Sequence, residues 1–249
     1  MKKILILATL LAFLSGGILP LFSEALSGRE ILRRMQRNEI YGSMRSEGSW
    51  IIRDRFGTRE KTFKVYSLGT EKTLIVFTNP EEEGQKILRV GNEIYLYFPD
   101  AEEVIRIEGS AMRDSVLGSD FSYEDMTGQK DLLDSYDAIL EGEDTIEGKS
   151  CYKLRLKAKR PDVVYPMEEL WVDKKNYALR RAYYYALSGR KIKELDIGEV
   201  RMIKGRAVPV HFVMRDLLKK NSQTEFIISK IEIDVPVDEK LFSLEELSW

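Results

Sequence analysis

The rhythm of its turns constrains this chain most. From Glu47 onward, short apolar runs are cut at short intervals by Phe56-Gly57-Thr58, Leu68-Gly69-Thr70, Asn79-Pro80 with Gly84, Gly91-Asn92 and Pro99-Asp100. Between these cuts the hydrophobic period is two. Phe63 and Val65 alternate with Thr62, Lys64 and Tyr66, and Tyr95 and Tyr97 alternate with Ile94, Leu96 and Phe98. Successive side chains of a strand point to opposite faces, so this is a strand pattern, and turns too short for a crossover leave only antiparallel pairing. The same rhythm returns after residue 138. Ala138 to Gly142 is followed by a strand with Tyr152, Leu154, Leu156 and Ala158 on one face and Lys153, Arg155 and Lys157 on the other. Further strands are expected over Glu168 to Asp173, Leu179 to Tyr185, Lys191 to Met202, Ala207 to Met214 and Thr224 to Ile233. No Pro/Ser-rich linker, low-complexity tract or exact repeat divides the chain. One continuous sheet of roughly ten to thirteen strands is the economical arrangement, and an open sheet of that width must curl or close.

Two segments depart from the strand pattern. Ser27 can cap a helix, with Glu30 as its capping-box partner, and Ile31, Leu32, Met35 and Ile40 then form an apolar stripe opposite Arg33, Arg34 and Arg37. Between Ser110 and Leu133 the alternation stops: Met112, Val116 and Leu117 have helical spacing, and Phe121, Tyr123 and Met126 follow within Gly118-Ser119-Asp120-Phe121-Ser122-Tyr123-Glu124-Asp125-Met126. Short helices, or a lid over the sheet, fit this segment.

The N-terminus has the build of a secretory signal peptide: Met1-Lys2-Lys3, an apolar run from Ile4 to Leu14, then Ser15-Gly16-Gly17 and Pro20. Ser23-Glu24-Ala25 places small residues where a signal peptidase reads. Residues 1–25 are therefore expected to be removed, leaving 26–249 as one domain in the periplasm. No cysteine lies near the junction to take a lipid anchor. An uncleaved membrane anchor is the rival reading, opposed by the Gly pair and Pro20, which break the helix.

Composition then removes function classes. With 39 Lys+Arg against 41 Asp+Glu, a net charge of -2, the chain lacks the cationic surplus of a broad nucleic-acid binder. A single cysteine, Cys151, cannot form an internal disulfide, and with the single His211 it does not make a zinc site. His211 reads as a strand-surface residue and Cys151 as a buried or half-buried thiol. No Gly-rich phosphate loop, Gly-x-Ser-x-Gly elbow or zinc-protease helix occurs. The carboxylates Glu81-Glu82-Glu83 and Glu102-Glu103 fall in turns, where solvated charge is the plain reading. The sequence thus predicts no enzyme, no cofactor and no metal.

What stands out is an apolar surplus in the strands. Trp50-Ile51-Ile52, Leu74-Ile75-Val76-Phe77, Tyr183-Tyr184-Tyr185 and Phe226-Ile227-Ile228 put apolar groups on both faces. Either helices cover the second face, or the curled sheet encloses an apolar cavity.

At this point the chain resembles the LolA-like family of periplasmic outer-membrane lipoprotein-sorting proteins. The resemblance runs along the whole mature chain: an amphipathic N-terminal helix, a strand from Trp50, the hairpin through Arg59 to Tyr66, the turn Asn79-Pro80-Glu81-Glu82-Glu83-Gly84, then Tyr95-Leu96-Tyr97-Phe98-Pro99 and Arg106-Ile107. Its most specific piece is Leu117-Gly118-Ser119-Asp120-Phe121-Ser122-Tyr123-Glu124-Asp125, with Glu169-Leu170-Trp171-Val172-Asp173 and Val237-Asp238-Glu239-Lys240-Leu241-Phe242 also similar. The resemblance implies a mainly β (α+β) fold, an unclosed antiparallel β-barrel (half-barrel) of LolA/LolB type, with the N-terminal helix and short helices covering the concave face.

It also implies a carrier that binds acyl chains of lipoproteins or other lipids, accepts cargo from an inner-membrane transporter and yields it to an outer-membrane acceptor. Trp50, Phe63, Val65, Leu74, Val76, Tyr95, Tyr97, Leu154, Leu156, Trp171 and Phe212 are the cavity candidates, chosen for alternation and bulk. Met112, Val116, Leu117, Phe121, Tyr123 and Met126 are the lid candidates. The expected state is a monomer. Two alternatives stay open: a lipid- or protein-binding envelope sensor or adaptor that transports nothing, and a hydrolase with an unfamiliar site.

Overall fold

The computed structural model of the chain describes residues 26–127 and 132–247. The expected leader, residues 1–25, lies outside them. Helix α1 (Gly28–Arg37) begins where Ser27 Oγ accepts the Glu30 amide at 3.2 Å. The expected capping box is only half formed, because the Glu30 carboxylate turns to Arg33 and Arg34 instead. Ile31, Leu32 and Met35 are buried on one face of α1, whereas Ile40 lies beyond the helix end and is half exposed.

Thirteen strands follow. They are β1 (Ser43–Asp54), β2 (Gly57–Leu68), β3 (Lys72–Phe77), β4 (Lys86–Val90), β5 (Glu93–Phe98), β6 (Glu103–Ile107), β7 (Tyr136–Ile146), β8 (Lys149–Ala158), β9 (Met167–Asp173), β10 (Leu179–Tyr185), β11 (Lys191–Ile203), β12 (Arg206–Asp216) and β13 (Gln223–Ile233). All pairings among them are antiparallel. The order across the sheet is β6-β5-β4-β3-β2-β1-β13-β12-β11-β10-β9-β8-β7, so two meanders join where the last strand returns to the first. The edge strands β6 and β7 do not pair with each other, and the sheet stays an unclosed half-barrel.

At the junction of the meanders, β1 and β13 shift register between Glu47 and Gly48. A Cβ on Gly48 would stand 2.3 Å from the Ile227 carbonyl oxygen, so only glycine permits this approach.

The connection from β6 to β7 lies over the concave face as a strap of three short 3-10 turns (Gly109–Arg113, Val116–Gly118 and Glu124–Met126), before helix α2 (Leu132–Ser135). A C-terminal 3-10 turn (Glu239–Phe242) and helix α3 (Leu244–Leu247) cover the opposite face of β3–β5, where Phe242 and Leu247 pack with Leu74, Leu88 and Tyr97. The apolar surplus of the strands thus has two causes: over β3–β5 the C-terminal segment adds a second apolar layer on the opposite face, and much of the concave face packs on α1, α2 and the strap.

Candidate functional site

The concave face changes character along its length. Under α1 and α2 it is filled: Leu154, Leu156, Leu170 and Tyr184 pack against Ile31, Leu32, Met35 and Leu132 with almost no exposed surface. Where β12, β13, β1 and β2 meet, no α-helix among the described residues covers the sheet, and an apolar groove opens beside the strap. Its cavity is about 310 Å³, lined chiefly by Trp50, Phe63, Val65, Phe212, Phe226 and Ile228. The floor is aromatic: the Phe212 and Phe226 rings stack with centroids 4.8 Å apart, and Trp50 meets Phe226 at 5.0 Å and Phe63 at 5.4 Å. A second space of about 200 Å³ continues the groove past Pro209 and Phe212 toward Leu195, Ile197 and Met214. Together they fall in the size range of small-ligand pockets.

The strap reaches into this groove through Phe121, whose ring lies edge-on to Phe226 at 4.6 Å and to Phe212 at 6.4 Å. Phe121 touches both the filled and the open apolar regions. Its backbone is turned into place by a left-handed pair, Leu117 at φ 49° and Gly118 at φ 79°. Buried polar contacts then pin it. Thr224 Oγ1 accepts the Asp120 amide and donates to Asp120 Oδ2, both at 2.8 Å, and Asp120 Oδ1 accepts the Asp216 amide at 3.1 Å. Asp125 takes an ion pair from Lys193 of β11 at 2.5 Å and hydrogen bonds from the Tyr165 hydroxyl and the Ser122 amide. Lys219 donates to the Ser119 carbonyl. These anchors come from β11, β12 and β13 and from the β8–β9 and β12–β13 connections, so the strap is tied across the end of the groove.

Two carboxyls near the concave face are perturbed. Burial pushes Glu168, on β9 beside the Tyr136 and Tyr165 cluster, up to about 7, and its Oε2 has no hydrogen-bond partner. Glu39, just after α1 and lining the far end of the groove, is also raised to about 7 by its apolar surroundings. Burial also raises the Tyr165 hydroxyl, with the Asp125 charge beside it adding to the effect. None of these groups is joined by a nucleophile–base pair, and among the described residues no cluster of His, Cys, Asp and Glu could hold a metal ion. Cys151 is a buried free thiol whose pKa is raised by burial, and His211 Nε2 lies 2.8 Å from Glu225 on the sheet. The groove itself is lined chiefly by apolar side chains.

The sequence-based cavity candidates divide by face. Trp50, Phe63, Val65 and Phe212 line the groove. Leu154 and Leu156 face the same side but are occupied by α1 and α2. Leu74, Val76, Tyr95 and Tyr97 are corrected to the opposite face, under the C-terminal segment. Trp171 is corrected as well: it pairs with Lys153, shares that outward face, and donates from Nε1 to Asp144 at 2.9 Å. The cause is strand phase. In β3 and β5 both faces are apolar, so bulk gives no direction, and a one-residue choice reverses every side chain. Pairing supplies what alternation lacks, since Val65 opposite Ile75 and Leu154 opposite Leu170 fix the inward set. Met112, Val116, Leu117, Phe121, Tyr123 and Met126 all pack on the cluster beneath the groove.

The polar anchors Asp120, Asp125, Lys193 and Thr224 were not singled out from sequence. Their signal was the polar density of Gly118 to Asp125, in a segment that otherwise packs on the core. Phe226 and Ile228 were flagged only as part of a two-faced apolar run.

A family model described as "-like: Uncharacterized protein" matches residues 69–249. Among curated proteins, none matches the chain. Solved structures do. A DUF1329 family protein from Desulfovibrio piger is 27% identical, with 88% of this chain and 97% of that one covered and a TM-score of 0.81. A domain assigned to outer membrane lipoprotein sorting, from Vibrio parahaemolyticus, is 19% identical over 89% of this chain and 98% of that one, at a TM-score of 0.80. A LolA superfamily protein from Nitrosomonas europaea is 22% identical over 89% of this chain and the whole of that one, at 0.72.

Proposed function

The chain belongs to the family whose model spans residues 69–249 and has a LolA-like fold, and from that premise we propose that it is a periplasmic carrier: it takes acyl chains of lipoproteins or other lipids into the concave groove and moves them toward the outer membrane. One observation carries this reading, the apolar groove floored by Trp50, Phe63, Phe212 and Phe226 and closed on one side by the strap. Each CH₂ hidden from water is worth about 0.8 kcal/mol, so an acyl chain crosses an aqueous space only inside such a surface. The strap supplies closure and release without nucleotide chemistry on this chain, because its anchors are hydrogen bonds and one ion pair that docking on a donor or acceptor can exchange. Binding, not turnover, is the activity that the site residues suit.

The test is displacement of a fluorescent fatty acid by two single variants. Val65→Asp puts a carboxylate into the groove and is expected to weaken probe binding about tenfold or more, since an unpaired charge there costs several kcal/mol. Tyr95→Asp, on the opposite face, should leave affinity unchanged. Equal affinities for the two, both folded, would reject the groove as the binding site.

A further inference from the structure

Three hairpins end at one level of the sheet. Arg53 pairs with Gln223, and Lys193 with Asp216, so the β1–β2, β12–β13 and β10–β11 turns lie side by side. Each turn carries a large apolar side chain in water: Phe56 is 75% exposed, Leu218 61% and Leu187 90%. Leu187 and Leu218 line one cleft, Phe56 lines the next, and Ser115 of the strap is common to both. Exposed single apolar residues are ordinary, but three at the tips of adjacent hairpins form a pattern.

Cations surround them. The Arg55 guanidinium sits 4.6 Å from the Phe56 ring centroid, Lys219 and Lys220 follow Leu218, and Arg190 follows Leu187 by one short turn. Among the described residues Arg55, Arg190 and Lys220 make no ion pair. Of the neighbouring acids, Asp54 is paired with Arg59 at 2.5 Å and Glu124 with Arg113 at 3.9 Å, while the negative Asp216 carboxylate accepts the Leu218 amide at 2.9 Å. The acidic turn Glu81-Glu82-Glu83 is set back, because Glu82 reaches Lys61. At about 3.3 Å per strand residue, the Gly57 end of β2 projects about 13 Å beyond that contact. The cationic surplus lies around Phe56, where Arg55, Arg59, Lys219 and Lys220 line the cleft with Asp54, whereas the cleft at Leu187 and Leu218 also holds Asp120, Glu124 and Asp216.

We propose that this end docks on an anionic phospholipid bilayer, with Phe56, Leu187 and Leu218 entering the interface and Arg55, Arg190 and Lys220 lying among the headgroups. A protein partner would call for a continuous complementary patch, whereas separate apolar points flanked by cations suit a fluid surface that closes around each of them. Docking in this pose sets the strap at the membrane surface. The inference stands on the hairpin tips alone and does not require the groove to bind acyl chains.

The test uses the chain from residue 26 onward, which contains every described element, in co-sedimentation with phosphatidylglycerol/phosphatidylethanolamine vesicles and with phosphatidylcholine vesicles. The unsubstituted chain should bind the anionic vesicles, less so as salt is raised, and bind phosphatidylcholine weakly. The triple variant Phe56→Ser, Leu187→Ser, Leu218→Ser should lose about tenfold or more in vesicle affinity. The variant Arg55→Glu, Lys220→Glu should lose the preference for anionic lipid. Absence of binding by the unsubstituted chain, or binding by the triple variant at full strength, overturns the proposal. Solution affinity for the fluorescent fatty acid is the separating readout: it should be the same in all these variants, so a chain that binds vesicles but no fatty acid keeps this inference and loses the carrier reading.

Discussion

Glu168 is a carboxyl in an apolar wall, and its environment sets a pH dependence with a definite sign. Its pKa rises from 4.5 to about 7 on folding, because burial penalises the charged form. Between those values the native state holds a proton that the unfolded chain has released. Stability from this group is therefore complete below about pH 4.5, falls as pH rises, and levels off above about 7. Glu39, raised to about 7 by burial, acts in the same direction. Glu168→Gln keeps the shape and removes the titration. It should leave stability near pH 5 little changed and raise it at pH 8 by up to about 3 kcal/mol, flattening part of the decline in denaturant-unfolding curves. A variant whose stability falls with pH as steeply as the unsubstituted chain would contradict the assignment.

At the scale of elements, the strap decides how the groove opens, and its hold rests on few contacts. The Lys193–Asp125 pair is buried on both sides, so removing one partner leaves a charge without compensation. Asp125→Leu and Lys193→Met alone should each cost about 3 kcal/mol or more in stability, while the two together should recover much of that loss. Additive losses in this double-mutant cycle would mean that the two groups are not coupled and that the strap is held elsewhere.

Element legibility follows the same physics. The strands announced themselves because turn residues and a two-residue period are local properties. The expected spans fell inside or onto β9 to β13, short by a residue or two at the ends, where pairing rather than composition extends a strand. The helix α1 was legible from Ser27 and the Ile31, Leu32, Met35 stripe. Strand phase in β3, β5 and β9 was not, because Leu74 and Ile75, or Leu170 and Trp171, are equally apolar, and only the neighbouring strand tells them apart. Lys193 sits between Ile192 and Glu194 in a charge-rich run, like any solvent-facing lysine, and only the distant strap gives it a buried partner.

At the scale of the whole molecule, two meanders share one concave face, and the groove exists because α1 and α2 cover only the β7–β12 side of it. The order of elements was readable from the sequence, and so was the open half-barrel once the resemblance was recognised. The join of β1 to β13 and the covering of β3–β5 by the C-terminal segment were not, since both bring together residues far apart in the chain.

The central claim is that this apolar groove carries an acyl chain. Native mass spectrometry of the protein purified from a periplasm without detergent, with extraction of whatever is bound, tests it most directly. The account predicts lipid or acylated peptide at near one per chain, lost from a Trp50→Asp variant that remains folded. An apo mass alone, with no uptake when fatty acid or diacylated peptide is added back, would contradict it.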